Sequence, residues 1–214
     1  TKRKVLNMSV HAGQRPESLG WKLMLVETAF GDGPNYAVDN TASAPTSFSR
    51  ILYQLQIGER AVWCELDDFT SNTIGRIGIP TVGGWSYNSN VTNMNVFYNK
   101  NAESFPSAVT ANITTKLNRT GKINFWPSNY SQGANSVYDH DDSGFSSAAG
   151  YGSFQIHDTT PSTAECVFAW NHWGRGVGDT DWGMGNRNTE HPDWTFANNE
   201  SSTVYGERLR IWVK

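Results

Sequence analysis

Tyr151-Gly152-Ser153-Phe154-Gln155-Ile156-His157-Asp158, followed by Cys166-Val167-Phe168-Ala169-Trp170-Asn171-His172-Trp173, is the stretch whose reading decides the fold. It runs on through Asp181-Trp182-Gly183-Met184-Gly185-Asn186 to Asp193-Trp194-Thr195-Phe196. Short apolar runs broken repeatedly by Gly, Asn and Asp mark antiparallel strands whose edges and loops carry polar and aromatic side chains. The segment reads as the C-terminal half of a β-sandwich that presents a binding face.

Working outward, the same period recurs. Ser47 to Ile57 and Arg60 to Leu66, joined across Gly58-Glu59, form the strongest hairpin signal, with aromatic and β-branched residues on both arms. On the first arm Ile51, Tyr53, Leu55 and Ile57 share the face expected to be buried, and Phe48, Arg50, Leu52, Gln54 and Gln56 share the other. Val91 to Tyr98 alternates in the same way, and Thr203 to Lys214 reads as a terminal strand through Val204, Leu209, Ile211 and Val213. Further strands are expected at Val5 to Val10, Trp21 to Glu27, Ile74 to Pro80, Ala111 to Leu117 and Ile123 to Pro127. Gly31-Asp32-Gly33-Pro34-Asn35 is a turn, and two polar loops run from Asp39 to Pro45 and from Ser128 to Gly150. No helical periodicity interrupts this pattern. About twelve short strands place the chain in the all-β class, as a single antiparallel sandwich domain of jelly-roll type spanning 1–214.

Composition narrows the function. The net charge of −3 and the scatter of the 17 basic residues argue against a nucleic-acid partner, which needs clustered Lys and Arg. No apolar run is long enough for a membrane helix, and no apolar stretch preceded by basic residues opens the sequence. The start at Thr1 rather than Met suggests processing or excision from a longer precursor. With 20 Gly, 9 Trp and only 17% charged residues, the balance fits a compact extracellular sheet protein. The sequons at Asn7, Asn90, Asn112, Asn118, Asn129 and Asn199 lean the same way. Cys64 and Cys166 each sit inside an apolar run, and a disulfide between neighbouring strands is expected; the alternative is two buried thiols acting as small hydrophobes.

Three groups of residues carry candidate chemistry. Asp139, Asp141 and Asp142, around His140 in the long loop, offer the oxygens a calcium ion needs, with Asp179 and Asp181 as a weaker alternative; the plainer reading is a solvated loop. Trp126, Tyr130, Trp173, Trp182 and Trp194 fall at strand ends or in Gly/Asn-rich loops. Each serves either the core or a platform for the apolar face of a sugar, and the loop placement of Trp126 and Trp173 beside Asn favours exposure there. Gln155 and His157, two apart on one strand, point to the same face, where they would bind a substrate carboxylate and move a proton together; the alternative is a polar strand end. The hydrolase, zinc and nucleotide signatures are absent.

The series Tyr53-Gln54-Leu55, Val62 to Thr70, Ile77-Gly78-Ile79-Pro80, Val91 to Val96 and Phe125 to Tyr130, continued by Tyr151 to His157, Gly183 to Asn186 and Asp193 to Phe196, resembles a known group of proteins. These are the accessory β-sandwich modules beside sialate O-acetylesterase-like hydrolases and other carbohydrate-active proteins of aquatic bacteria. The resemblance covers 48–214 and implies a carbohydrate-associated module. The cysteines and Asp68 depart from that pattern and fit a free-standing secreted form. Gln155-Ile156-His157 also gives a faint similarity to jelly-roll alginate lyases, whose Arg-X-Glu-Leu-Arg and Tyr-X-Lys-X-Gly-X-Tyr strands are missing.

The expected function is a secreted, lectin-like protein that binds a glycan without catalysis. Its ligand-binding residues would be Trp126, Asn129, Tyr130, His140, Gln155, His157, Asn171 and Trp173, with calcium at Asp139, Asp141 and Asp142. A polysaccharide lyase or glycoside hydrolase and a structural extracellular protein stay open as alternatives. The binding surface is expected where the loop from Ser128 to Gly150 meets the strand ends near His157 and Trp173.

Overall fold

The computed structural model describes residues 15–28, 36–57, 60–67, 77–78, 87–99, 114–126, 152–161, 165–172, 180–184 and 208–214, with the backbone alone at some strand positions. These residues form β-strands, two short 3-10 turns and connecting segments, with no α-helix among them. The strands are β1 (Lys22–Thr28), β2 (Tyr36–Asp39), β3 (Ile51–Ile57), β4 (Arg60–Leu66), β5 (Tyr87–Asn99), β6 (Thr114–Trp126), β7 (Gly152–Asp158), β8 (Glu165–His172), β9 (Thr180–Met184) and β10 (Arg208–Val213). They make one ten-stranded sheet in the order β2-β1-β10-β3-β4-β5-β6-β7-β8-β9. Every pairing is antiparallel. From β3 to β9 the strands follow one another as neighbours, while β10 slots between β1 and β3.

The alternation of side chains sorts the strands into two apolar clusters on opposite faces. Ile51, Tyr53 and Leu55 of β3, Val62, Cys64 and Leu66 of β4, and Leu209, Ile211 and Val213 of β10 belong to the larger one. It also takes in Met24, Val96, Ile123, Phe154 and Val167, so a single core runs through strands from both ends of the chain. Tyr53 and Phe154 meet there with ring centroids 4.7 Å apart. In sheet order, β4, β5 and β6 stand between β3 and β7, and at ~4.8 Å per strand a flat sheet would separate those strands by ~19 Å. The sheet therefore folds over so that its concave face closes on itself.

The second cluster lies on the convex face and joins Trp21, Leu52, Ala61, Trp63, Phe97 and Trp212. Both faces of β3 are thus buried, against the expectation that only the one carrying Tyr53 would be: Leu52 and Gln54 are as inaccessible as Tyr53. The 3-10 turn Pro16–Leu19 lies over this face, ended by Gly20, whose φ of 86° suits a residue without a Cβ. Trp212 and Lys214, on the outer side of β10, hold it there. Trp212 Nε1 donates to Glu17 Oε1 at 2.9 Å and Lys214 Nζ donates to the Leu19 carbonyl at 2.8 Å.

Several element expectations change. The arm expected from Ser47 begins as a strand at Ile51, and β2 occupies ground where no strand was expected. The loop expected from Asp39 contains a 3-10 turn at Thr41–Ser43. The described parts of the segments expected near Ala111 to Leu117 and Ile123 to Pro127 belong to one strand, β6, broken in appearance only by Asn118 and Gly121; residues 111–113 and Pro127 lie outside the described residues. Asn118 has a φ of 53°, and the β5–β6 register slips beside it. At Gly121 a Cβ would stand 2.7 Å from the His157 carbonyl oxygen and 2.8 Å from Met94 Cε, so the close approach of β6 and β7 requires glycine. Of the segment from Ile74 to Pro80, only Ile77 and Gly78 are described, as a bend with both residues buried. The strand expected at Val5 to Val10 and the whole loop from Ser128 to Gly150 lie outside the described residues.

The cysteine expectation is corrected as well. Cys64 is on β4 and Cys166 on β8, which are not neighbours, and Cys64 is a free, fully buried thiol. Burial pushes that thiol well above its ordinary range, and the negative charges of Glu65 and Asp158 add to the effect. A thiol so held is a small core hydrophobe rather than a nucleophile.

One polar group in the core has to be satisfied from within. Asp158, at the end of β7, is completely buried; its Oδ2 accepts from Arg119 Nε at 2.8 Å and its Oδ1 from the Thr160 backbone N–H at 2.9 Å. Arg119 thereby ties β6 to the β7 end across one sheet pairing. Removing one partner of a buried pair leaves the other charge uncompensated, so Arg119→Ala is expected to cost about 3 kcal/mol in urea unfolding. Arg119→Ala combined with Asp158→Asn should recover part of that loss, and a double variant no better than the single one would mean that Asp158 needs no cation.

Candidate functional site

Two regions of the convex face gather polar and aromatic groups. The first follows from the register of β6 to β9. Phe154 and Ile156 of β7 are buried in the core, so Ser153 and Gln155 occupy positions of the other face. Trp126 stands opposite Ser153, Ser153 opposite Asn171, and Asn171 opposite Asp181, giving a row across four strands. The next row on the same face is Asn124, Gln155, Ala169 and Gly183. Three residues expected to bind ligand, Trp126, Gln155 and Asn171, are thus brought into adjoining positions, along with Asp181 from the weaker metal candidate.

The other expected residues divide. Trp126 closes β6 rather than standing in a loop. His157, two positions on from Gln155, is only 1% exposed and lies inside the fold. The register between β7 and β8 shifts at that point, between Ile156 and His157. Asn129, Tyr130, Asp139, His140, Asp141, Asp142 and Trp173 lie outside the described residues, as do Asp179 and Trp194. Among the described residues no three His, Cys, Asp or Glu side chains are grouped closely enough to hold a metal ion. No helix among them is long and apolar enough to cross a membrane.

The second region is a pocket of about 160 Å³ on the convex face of β10, β3 and β4. Gln54, Trp63, Leu23, Arg210 and Trp212 of the strands line it together with Arg15, Pro16 and Glu17. Trp63 and Trp212 stack with centroids 5.6 Å apart and planes 28° from parallel. Arg210 Nη1 donates to Gln54 Oε1 at 2.8 Å and Gln56 Oε1 at 2.9 Å, which spends both hydrogens of that nitrogen on neutral acceptors and fixes the plane of the guanidinium. None of these residues was singled out for binding from sequence. The signal lay in the alternation Arg208, Arg210, Trp212, Lys214, which puts the cations and the indole of β10 on the side opposite Leu209, Ile211 and Val213.

Beside the pocket, Arg50 carries an ionic network. Its Nη2 pairs with Glu65 Oε1, its Nε donates to Asp67 Oδ1 at 2.6 Å, and its guanidinium lies 5.2 Å from the Trp21 ring centre. Glu65 is two residues from Trp63 on the same face of β4 and is only 7% exposed. Burial raises its carboxyl above the usual glutamate value; Arg50 and a hydrogen bond from Asn95 oppose that, and Asp67 reinforces it. The folded state therefore holds the Glu65 proton more tightly than the unfolded chain does. This contribution to stability is greatest below the ordinary glutamate value and diminishes as pH rises through the raised one. Relative to the wild type, Glu65→Gln should gain stability as pH rises through that window, read from paired urea titrations at several pH values. A difference between the two proteins that is flat with pH, or of opposite slope, would contradict the raised value.

Compared with known proteins, the chain matches no family model, no curated protein and no solved structure.

Proposed function

We propose that the chain is a secreted, lectin-like carbohydrate-binding protein without catalysis, whose glycan lies across β6 to β9 where Trp126, Gln155 and Asn171 stand in adjoining positions. The observation that carries this reading is the register itself: Trp126, Ser153, Asn171 and Asp181 in one row, and Asn124 and Gln155 in the next, hold positions of one face of four paired strands. Sugars present an apolar ring face edged by hydroxyls, and an aromatic beside planar hydrogen-bonding groups matches both. Rigid strands hold such groups at fixed spacing. The resemblance to accessory modules of carbohydrate-active proteins points the same way, and the folded-over sheet supports a two-layered, sandwich-like architecture of the jelly-roll kind.

A glycan array probed with the purified chain tests this directly. Binding of a defined glycan class is expected, with no new reducing ends and no unsaturated uronates released from it. Trp126→Ala should weaken that binding by about 1–3 kcal/mol, the range for losing a buried aromatic contact, while the melting curve stays cooperative. A folded double variant, Trp126→Ala with Asn171→Ala, that keeps full affinity would place the glycan elsewhere; an array with no bound glycan would end the reading.

Calcium belongs to the same proposal, held by Asp139, Asp141 and Asp142 beside the glycan. An ion that binds only the folded chain stabilises it by mass action, so the melting temperature should rise with calcium and fall with EDTA. A melting curve unchanged by the chelator would remove the ion from the proposal.

A further inference from the structure

We infer that Asn118 is the acceptor for an N-linked glycan, attached while the chain passes through a secretory pathway. The inference rests on the reading of the chain as secreted, and not on its binding a glycan. Asn118-Arg119-Thr120 is one of six sequons and, with Asn90-Val91-Thr92, one of the two that fall wholly among the described residues. Met94 pairs with Arg119 and Val96 with Lys116, so Asn95 alone faces two residues of β6, Leu117 and Asn118. That is a β-bulge, and Asn118 takes the left-handed conformation within it, with a φ of 53°. Asparagine is among the few residues that enter this region readily. Leu117, Asn118 and Thr120 are all exposed, Leu117 at 46%. Asn118 is tied to β5 through its backbone N–H, which donates to Asn95 Oδ1 at 3.0 Å. The carboxamide, the group a glycan transfer uses, is not what holds the bulge.

The donor belongs to one chemical class, an oligosaccharide carried on a lipid pyrophosphate. The Asn118 side-chain nitrogen attacks the anomeric carbon and gives up one proton to a base of the transferase. The bond from that carbon to the pyrophosphate oxygen breaks, and the lipid pyrophosphate leaves with the electron pair. The folded sheet sets the timing of this step. Arg119 Nε donates to Asp158 Oδ2 at 2.8 Å, the Thr120 N–H to Thr160 Oγ1 at 2.9 Å, and the Thr159 N–H to the Thr120 carbonyl at 2.9 Å. These contacts reach β7 or the residues just after it, so the sequon is open to an enzyme only until β7 pairs with β6. Transfer therefore precedes that pairing, and the bulge then carries the sugar at the surface. A bulky, solubilising group at Asn118 has the exposed Leu117 beside it to cover. Along β6, Asn118 and Trp126 are eight residues apart, ~26 Å at ~3.3 Å per residue, so the attached sugar stands away from the row proposed to bind one.

The test is made on the full chain secreted from cultured animal cells. Peptide N-glycosidase in heavy-oxygen water converts each glycosylated Asn to an Asp that carries the label, and peptide mapping should find that label at Asn118. Asn118→Gly deletes the acceptor, keeps a residue suited to a positive φ, and should remove the mass of one glycan from the intact protein. Thr120→Ala should remove the same mass, while Thr120→Ser should retain it, because the sequon admits either hydroxyl. If Thr120→Ala fails to fold, Asn118→Gly carries the test. Label at other sequons with Asn118 unlabelled, no label at any sequon, or an Asn118→Gly chain of unchanged glycan mass would each overturn the inference. Wild type and Asn118→Gly are also run on the glycan array, where they should behave alike. A labelled Asn118 on a chain that binds no glycan would uphold this inference while ending the proposed function.

Discussion

The closure of the sheet upon itself is the constraint on which the rest of the molecule depends. Tyr53 and Phe154 touch across the core although β4, β5 and β6 separate their strands in the sheet. One curved sheet thereby supplies both walls of its own hydrophobic interior, with no helix among the described residues to cover it. That arrangement explains why the concave residues of distant strands fall into one cluster, and why Cys64 of β4 feels the carboxylate of Asp158 at the end of β7. Among the described residues the concave side is filled by this cluster.

The convex side is itself divided. Over β10, β3 and β4 it is apolar enough to need covering, and the Pro16–Leu19 turn supplies part of that cover through Glu17 and the Leu19 carbonyl. Polar residues buried in this patch are matched within it: Gln54 and Gln56 receive Arg210, and Glu65 receives Arg50. Each is a group whose desolvation would be costly without a partner, which is why cations recur at alternate positions on the facing strands. Over β6 to β9 the register sets Asn124, Gln155, Asn171 and Asp181 at positions of the same face.

The all-β class was legible in the period-two alternation, and so was the antiparallel pairing of β3 with β4, whose register runs to Ile57 opposite Arg60. Other features depend on pairings that alternation does not encode. Leu52 looks like a solvent-facing residue from its strand alone; it is buried because Trp63 and Trp212 on neighbouring strands share its face. β6 looks like two fragments because Asn118 and Gly121 are poor strand formers, yet each answers a local need, a left-handed backbone in one case and the approach of β7 in the other. Cys64 and Cys166 share the sequence signature of a bonded pair, but which strands become neighbours is a property of sheet order. The shared row of Trp126 and Asn171 was not readable, since it follows from two successive registers, β6 with β7 and β7 with β8.

The position of β10 between β1 and β3 carries a consequence for how the protein comes into being. Lys22 pairs with Val213 and Ile51 with the same residue from the other side, so the sheet remains split into two pieces until the last strand is available. A chain emerging from the ribosome would hold β1 and β3 with open, unpaired edges throughout the synthesis of nearly everything between them. Final assembly is therefore a late zippering event driven by the burial of Leu209, Ile211 and Val213, and an incomplete chain lacking this short segment would be a sticky, aggregation-prone species rather than a smaller version of the same fold.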